Sequence, residues 1–185
     1  MVHKEVACTA SKVLNVAFNS DLIEGQTQSY RLEHTAEGVF RLLMQWMYFQ
    51  KLVLPVLDRL IGGDPSVEGV ADEKTALAKL WVLADELGIP CLQNVALKAR
   101  NDLSLKANTG TMSYSQWIYD NTGPDSALRR YTIASLATIN VDNFPSFADD
   151  IPKEMWVDFG MYMLRREKGL EKKNPKVSDY YVKED

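Results

Sequence analysis

The stretch FNSDLIEGQTQSYRLEHTAEGVFRLLMQWMYFQK, residues 18–51, decides the fold of this chain. Its pattern predicts the end of one short helix, an acidic loop, a strand at residues 29–33 and a helix at residues 36–49. Ten of the fourteen residues in that second helix are apolar. A helix that is apolar on all sides must be covered on several of them, so we expect it to form the centre of the core rather than a binding face.

The predicted strand carries an alternating pattern. Tyr30 and Leu32 fall on one face and Arg31 and Glu33 on the other, which is typical of a strand with one buried and one solvent-facing side. Thr35 precedes the next helix and is expected to cap it. Residues 52–72 begin with a short strand or turn and continue into the loop GGDPSVEG.

Helices are predicted on both sides of this stretch. Two short ones occupy residues 4–9 and 11–19, the second capped by Ser11. A longer helix at residues 73–87 ends at Gly88, and Pro90 opens the following one, so the two form a tight hairpin. Further helices follow, with a capping box at Ser113 and Gln116, another helix after residues 121–125 and a last one at residues 153–167.

Composition restricts the class of protein. The 185 residues hold 25 acidic and 21 basic side chains, a net charge of −4 with no basic stripe, which argues against nucleic acid as a partner. Cys8 and Cys91 lie far apart, as expected for a reducing compartment. No stretch is long and apolar enough for a signal peptide or a membrane span. We therefore expect an intracellular protein of the cytoplasm or nucleus, with no membrane partner.

Candidate chemical sites are few. His3 and His34 are the two histidines, and neither belongs to a cluster with metal-ligand spacing. The chain contains no nucleophile elbow and no phosphate-binding loop. Arg129 and Arg130 could bind an anion, but a solvated helix face is the expected reading. The sequence thus predicts no catalytic, cofactor-binding or metal-binding residue, and no cofactor.

Several segments, in order, resemble a BTB/POZ domain of the fungal type. They are VHKEVACTASKVLNVAFNSDLIEGQTQSYRLE (2–33), EGVFRLLMQWMY (37–48) and LAKLWVLADELGIPCLQN (77–94). The later YDNTGPDSALRRY (119–131) and DDIPKEMWVDF (149–159) resemble the helical extension that often follows such a domain. The resemblance implies an α+β, predominantly helical fold. It divides the chain into a BTB/POZ-like domain at 1–106, a helical extension at 107–168 and a mobile tail at 169–185.

Relatives of this type begin with a two-stranded hairpin before the dipeptide that corresponds to His3–Lys4, and this chain starts at Met1. We therefore expect a truncated BTB/POZ fold that lacks the N-terminal β-hairpin and keeps a small residual sheet beside its helical hairpins. The family resemblance implies a self-association or partner surface on the 3–19 helices. Its candidate residues are His3, Lys4, Val6, Val13 and Val16.

The resemblance implies a non-enzymatic adaptor or scaffold that pairs with itself or with another protein. Some relatives recruit a cullin-type ubiquitin ligase through a hydrophobic–x–acid motif, and no such motif can be placed in YFQKLVLPVLD (48–58). The alternative is a small helical enzyme or ligand carrier with a pocket among the Trp and Met residues. A third hypothesis is a poorly stable fragment without independent function.

Overall fold

A computed structural model describes residues 2–108 and 112–184, apart from the side chains of residues 141, 143, 146 and 147. This part of the chain contains ten α-helices: α1 (Lys4–Ala10), α2 (Lys12–Phe18), α3 (Ile23–Thr27), α4 (Glu37–Phe49), α5 (Pro55–Ile61), α6 (Val70–Glu86), α7 (Pro90–Ala107), α8 (Ser115–Asn121), α9 (Ala127–Leu136) and α10 (Lys153–Glu167). Two 3₁₀ helices, Val141–Asp150 and Val177–Tyr180, complete the regular structure.

The predicted α+β fold with a small residual sheet is wrong, because the described residues contain helices and no strand. Residues 29–33 do alternate, with Tyr30 and Leu32 half-buried and the residues beside them exposed. A strand also needs a neighbour that pairs with its backbone. The segment expected to supply one, after residue 51, instead forms α5 with Pro55 in its first turn.

The α6–α7 hairpin is the centre of the fold and confirms its prediction. Gly88 takes the left-handed conformation with φ +62°, and Ile89 N–H donates to the carbonyl of Ala84 at 2.8 Å. This bond closes α6 with a Schellman-type turn. Pro90 then opens α7. The two helices pack against each other and contribute to both apolar clusters of the molecule.

Helix α4 is covered on fewer sides than its composition predicts. Its buried residues are Val39, Leu43, Trp46 and Met47, whereas Phe40, Tyr48 and Phe49 are exposed. Helix α4 therefore buries one face and exposes another, so the expectation that it forms the centre of the core rather than a binding face is wrong. The predicted cap at Thr35 is also wrong, since the helix begins after Ala36 without a side-chain cap. The centre of the core is formed instead by α6, whose Leu77, Ala78, Leu80 and Ala84 are fully buried.

The C-terminal segment lies against the hairpin. Asn94 of α7 pairs with the backbone of Val182 in both directions: its Nδ2 donates to the carbonyl at 2.9 Å, and the Val182 N–H donates to its Oδ1 at 2.8 Å. Tyr180 packs edge-on against Tyr131 of α9, with ring centroids 5.9 Å apart. The boundaries at residues 106 and 168, and the mobility of the tail, remain predictions.

Candidate functional site

An apolar groove of about 300 Å³ opens between α1, α2, α4 and residues 28–32. Eleven of its lining residues are apolar or aromatic: Val2, Ala7, Leu14, Phe18, Tyr30, Leu32, Phe40, Leu43, Met44, Met47 and Leu87. An engineered cavity of ~150 Å³ holds one benzene, so this space is large enough for roughly two such groups. We refer to this surface as the apolar groove.

Two short helices form one wall of the apolar groove because Ser11 fixes the turn between them. The Ser11 hydroxyl accepts a hydrogen bond from Leu14 N–H at 3.0 Å and donates to the carbonyl of Leu87 at 2.5 Å. The first bond caps α2, as predicted. The second joins the α1–α2 turn to the end of α6, which sets the distance between this wall and the core.

The opposite rim is residues 29–32, which lead into a turn at Glu33 and His34. Within the described residues, the backbone N–H and carbonyl groups of residues 29–31 have no hydrogen-bond partner. Gln28 (φ +50°) and His34 (φ +63°) are both left-handed and bound it on either side. Tyr30 and Leu32 line the apolar groove. A strand-like edge with free backbone groups therefore lies beside an apolar surface, which is the arrangement that an incoming strand can extend.

The polar groups of the apolar groove are already used by the chain. Lys4 Nζ and Gln28 Nε2 each donate to the carbonyl of Phe18 at 3.1 Å, and Ser29 Oγ donates to the carbonyl of Thr27 at 3.4 Å. Lys4 is the one charged side chain among the described lining residues. What these side chains offer is an apolar contact surface with one cation at its mouth.

The five predicted interaction residues do not form one continuous face. Lys4 lines the apolar groove. Val6 lies on the other side of α1, in a more open hollow beside Trp46 and Cys91. Val13 packs toward the Gly88 turn. His3 donates its backbone N–H to Tyr48 Oη at 3.1 Å, and Val16 points into solvent with 66% of its surface exposed. Whether any of them contacts a partner remains a prediction.

Lys74 and Arg100 form a buried cationic pair that was not identified from the sequence. Lys74 and Arg100 are each 1% exposed. Burial, followed by repulsion from Arg100, lowers the pKa of Lys74 to about 8. The Arg100 guanidinium lies over the rings of Tyr114 at 4.2 Å and Tyr131 at 5.4 Å, which offsets part of its burial cost.

A signal for this pair was available in the sequence. The buried side of α7 repeats at helical spacing, and its members are Gln93, Ala96, Leu97, Arg100, Leu103 and Ala107. Arg100 falls within that repeat. The helical periodicity therefore indicated that Arg100 lies on the buried side of α7, although arginine is a residue type that is rarely buried.

Arg129 is likewise buried, contrary to the solvated face predicted for it, whereas Arg130 is exposed. The Arg129 guanidinium donates to Thr122 Oγ1 at 2.9 Å and to the carbonyl of Tyr119, and it lies over the Tyr119 ring at 4.3 Å. Tyr119 Oη in turn donates to Asp158 of α10 at 2.9 Å. Burial and then this bond raise the pKa of Tyr119. The cluster joins α8, α9 and α10 and uses the cation within the fold.

Comparisons with protein-family models, with curated proteins and with solved structures find no match to this chain. Across residues 2–108 and 112–184, no helix is both long and apolar enough to cross a membrane. Within the same residues, no three His, Cys, Asp or Glu side chains come together as a metal site would require.

Proposed function

We propose that this chain is a non-enzymatic protein-interaction module of BTB/POZ type that pairs with itself or with another protein. The observation that carries the proposal is the backbone of residues 29–31, which has no hydrogen-bond partner within the described residues and lies at the rim of the apolar groove. A partner strand would satisfy these backbone groups, and its apolar side chains would fill the space beside them. Filling that space removes apolar surface from water, at about 25 cal/mol per Å².

The assignment to the BTB/POZ type is supported by the order of the motifs in residues 2–167. The sheet that accompanies those motifs in the family forms no part of the proposal. Recruitment of a cullin-type ligase would be one use of such a module. The two free cysteines, Cys8 and Cys91, suit a reducing compartment, and we propose the cytoplasm or nucleus.

The test compares two baits that differ from the native chain at one exposed apolar residue each. Phe40→Glu places a carboxylate in the apolar groove, whereas Leu105→Glu alters the last turn of α7, outside it. We expect Phe40→Glu to lose self-association in light scattering, or to lose proteins captured from the native cell, while Leu105→Glu keeps both. Thermal unfolding followed by circular dichroism checks that each variant folds. A native chain that is strictly monomeric and captures nothing that depends on Phe40 would contradict the proposal.

A second candidate function, a carrier for an apolar ligand, is favoured by the volume of the apolar groove and by Lys4 at its mouth. The fitting ligand would have an aliphatic chain and a carboxylate. Calorimetric titration with decanoate separates the two candidates. A carrier binds it saturably and loses affinity in Lys4→Met, whereas an interaction module shows no saturable binding.

A further inference from the structure

Residues 177–184 lie across α7 and α9 as a bound peptide would. They follow residues 168–176, a stretch without regular helix, and none of the eight is fully buried. Tyr180 and Val182 are half-buried against the core, whereas Tyr181 and Lys183 are exposed. The segment is therefore seated on the surface of the helical core rather than built into it.

Among the described residues, the side chain of Asn94 makes every one of its hydrogen bonds to this segment. Its Nδ2 donates to the carbonyl of Val182 at 2.9 Å and to Glu184 Oε1 at 2.7 Å, and its Oδ1 accepts from the Val182 N–H at 2.8 Å. A side-chain amide that pairs with both backbone groups of one residue can hold any residue except proline at that position. Asn94 thus recognises the backbone of the segment.

Two side chains of the segment give this contact its specificity. Tyr180 packs edge-on against Tyr131, with ring centroids 5.9 Å apart, and Val182 packs against the larger apolar cluster. A hollow of about 190 Å³ remains beside Tyr180, lined in part by Ile133 and Met161. The tail therefore leaves part of the aromatic position unfilled, and a ligand with a larger aromatic group can fill it.

We propose that the face of α7 and α9 is a binding site for an extended peptide of another protein, and that residues 177–184 occupy this site as an internal competitor. The ligand has an aromatic residue, an aliphatic residue two positions later and an acid two positions after that, as at Tyr180, Val182 and Glu184. The site is separate from the apolar groove, so this inference does not depend on the proposed function.

A synthetic peptide added to the full-length chain tests the site. The probe is a fluorescein-labelled copy of residues 176–184, KVSDYYVKE, followed by fluorescence anisotropy. The double variant Tyr180→Ala/Val182→Pro loses the aromatic anchor and the N–H that Asn94 accepts, so its site should be vacant and should bind the probe saturably. The native chain should bind at least about tenfold more weakly, because its tethered tail competes at an effective concentration of about 1 mM.

Changes in the site and in the probe provide matched controls. Adding Asn94→Ala to the double variant removes three hydrogen bonds and should weaken binding by about tenfold or more, whereas adding Asn121→Ala on α8 should leave binding unchanged. A probe with alanine at the exposed positions Tyr181 and Lys183 should bind like the original. A probe with proline at Val182 should not bind.

Hydrogen exchange and circular dichroism establish that the double variant releases its tail and keeps the native helix content. If that variant fails to fold, Val182→Pro alone is used, with the same order of affinities expected.

Three results would overturn the inference. The first is a released variant that does not bind the probe up to about 1 mM. The second is a probe that binds the native chain as tightly as the released variant, or binds irrespective of Asn94→Ala, since it would then occupy a different surface. The third is a tail that stays protected from exchange in the double variant, because the contacts assigned as its anchors would not be holding it.

Discussion

At the scale of single residues, Lys74 is a buried amine whose charge weakens the fold. Its pKa of about 8 lies below the usual 10.5 because burial and Arg100 disfavour the charged form. Between these two pH values the unfolded chain binds more protons than the folded one, so the free energy of unfolding should rise with pH. At about 1.36 kcal/mol per pKa unit, Lys74 contributes roughly 3 kcal/mol over the whole window.

We predict that Lys74→Met removes this pH dependence. Urea unfolding of the native chain and of the variant, at several pH values from about 7.5 to about 9.5, gives the difference between their free energies of unfolding. The contributions of the other titrating groups are the same in both chains and cancel in this difference. The native chain should gain stability relative to Lys74→Met as the pH rises. Lys106→Met, at an exposed position of α7, should show the same change of unfolding free energy with pH as the native chain. A constant difference between the native chain and Lys74→Met would contradict the prediction.

At the scale of elements, α3 depends on a glycine. A Cβ at Gly25 would lie 1.9 Å from the carbonyl oxygen of Ser20, so the backbone on one side has to move. We predict that Gly25→Ala destabilises the chain by about 1–3 kcal/mol. Gly160→Ala in the middle of α10 meets open space and should stabilise by up to ~1 kcal/mol. Chemical denaturation measures both, and equal effects would contradict this reading of the α2–α3 contact.

The C-terminal segment is held against α7 by hydrogen bonds to the side chain of Asn94. That side chain replaces a strand partner for Val182, with one donated and one accepted hydrogen bond. We predict that Asn94→Ala accelerates hydrogen exchange at the Val182 amide and exposes the tail to proteolysis, with a loss of about 1–3 kcal/mol. Asn121→Ala, on an exposed position of α8, serves as the control. Unchanged exchange at Val182 would show that other contacts suffice to hold the tail.

At the scale of the whole molecule, the arrangement of the core predicts a single unfolding transition. The larger apolar cluster contains residues from every described α-helix except α3 and α5, and α6 and α7 also contribute to the smaller one. The four tryptophans lie on four helices: Trp46, Trp81, Trp117 and Trp156. We therefore predict that tryptophan fluorescence and circular dichroism report the same melting midpoint. Two separated midpoints would instead support an independent unit beyond residue 106.

The parts of the fold that could be predicted are those where a residue pattern in the sequence has a local physical cause. Ser11 caps α2, Gly88 and Pro90 define the hairpin, and Pro55 opens α5, although α5 itself was not predicted. Burial was harder to predict, because residue type outweighed position in the interpretation of α4 and Arg129. Helices α1 and α2 were predicted, whereas the apolar groove between them and α4 was not.

The sequence alone determined the helices other than α3 and α5, the hairpin and the alternation of residues 29–33, since each depends on the spacing of neighbouring side chains and on turn residues. Tertiary structure alone decided that those alternating residues have no strand beside them, that cations lie in the core and that an apolar groove opens next to Tyr30 and Leu32. The reason is physical: a helix satisfies its backbone within itself, whereas a strand, a buried charge and a cavity are defined by groups distant in the chain.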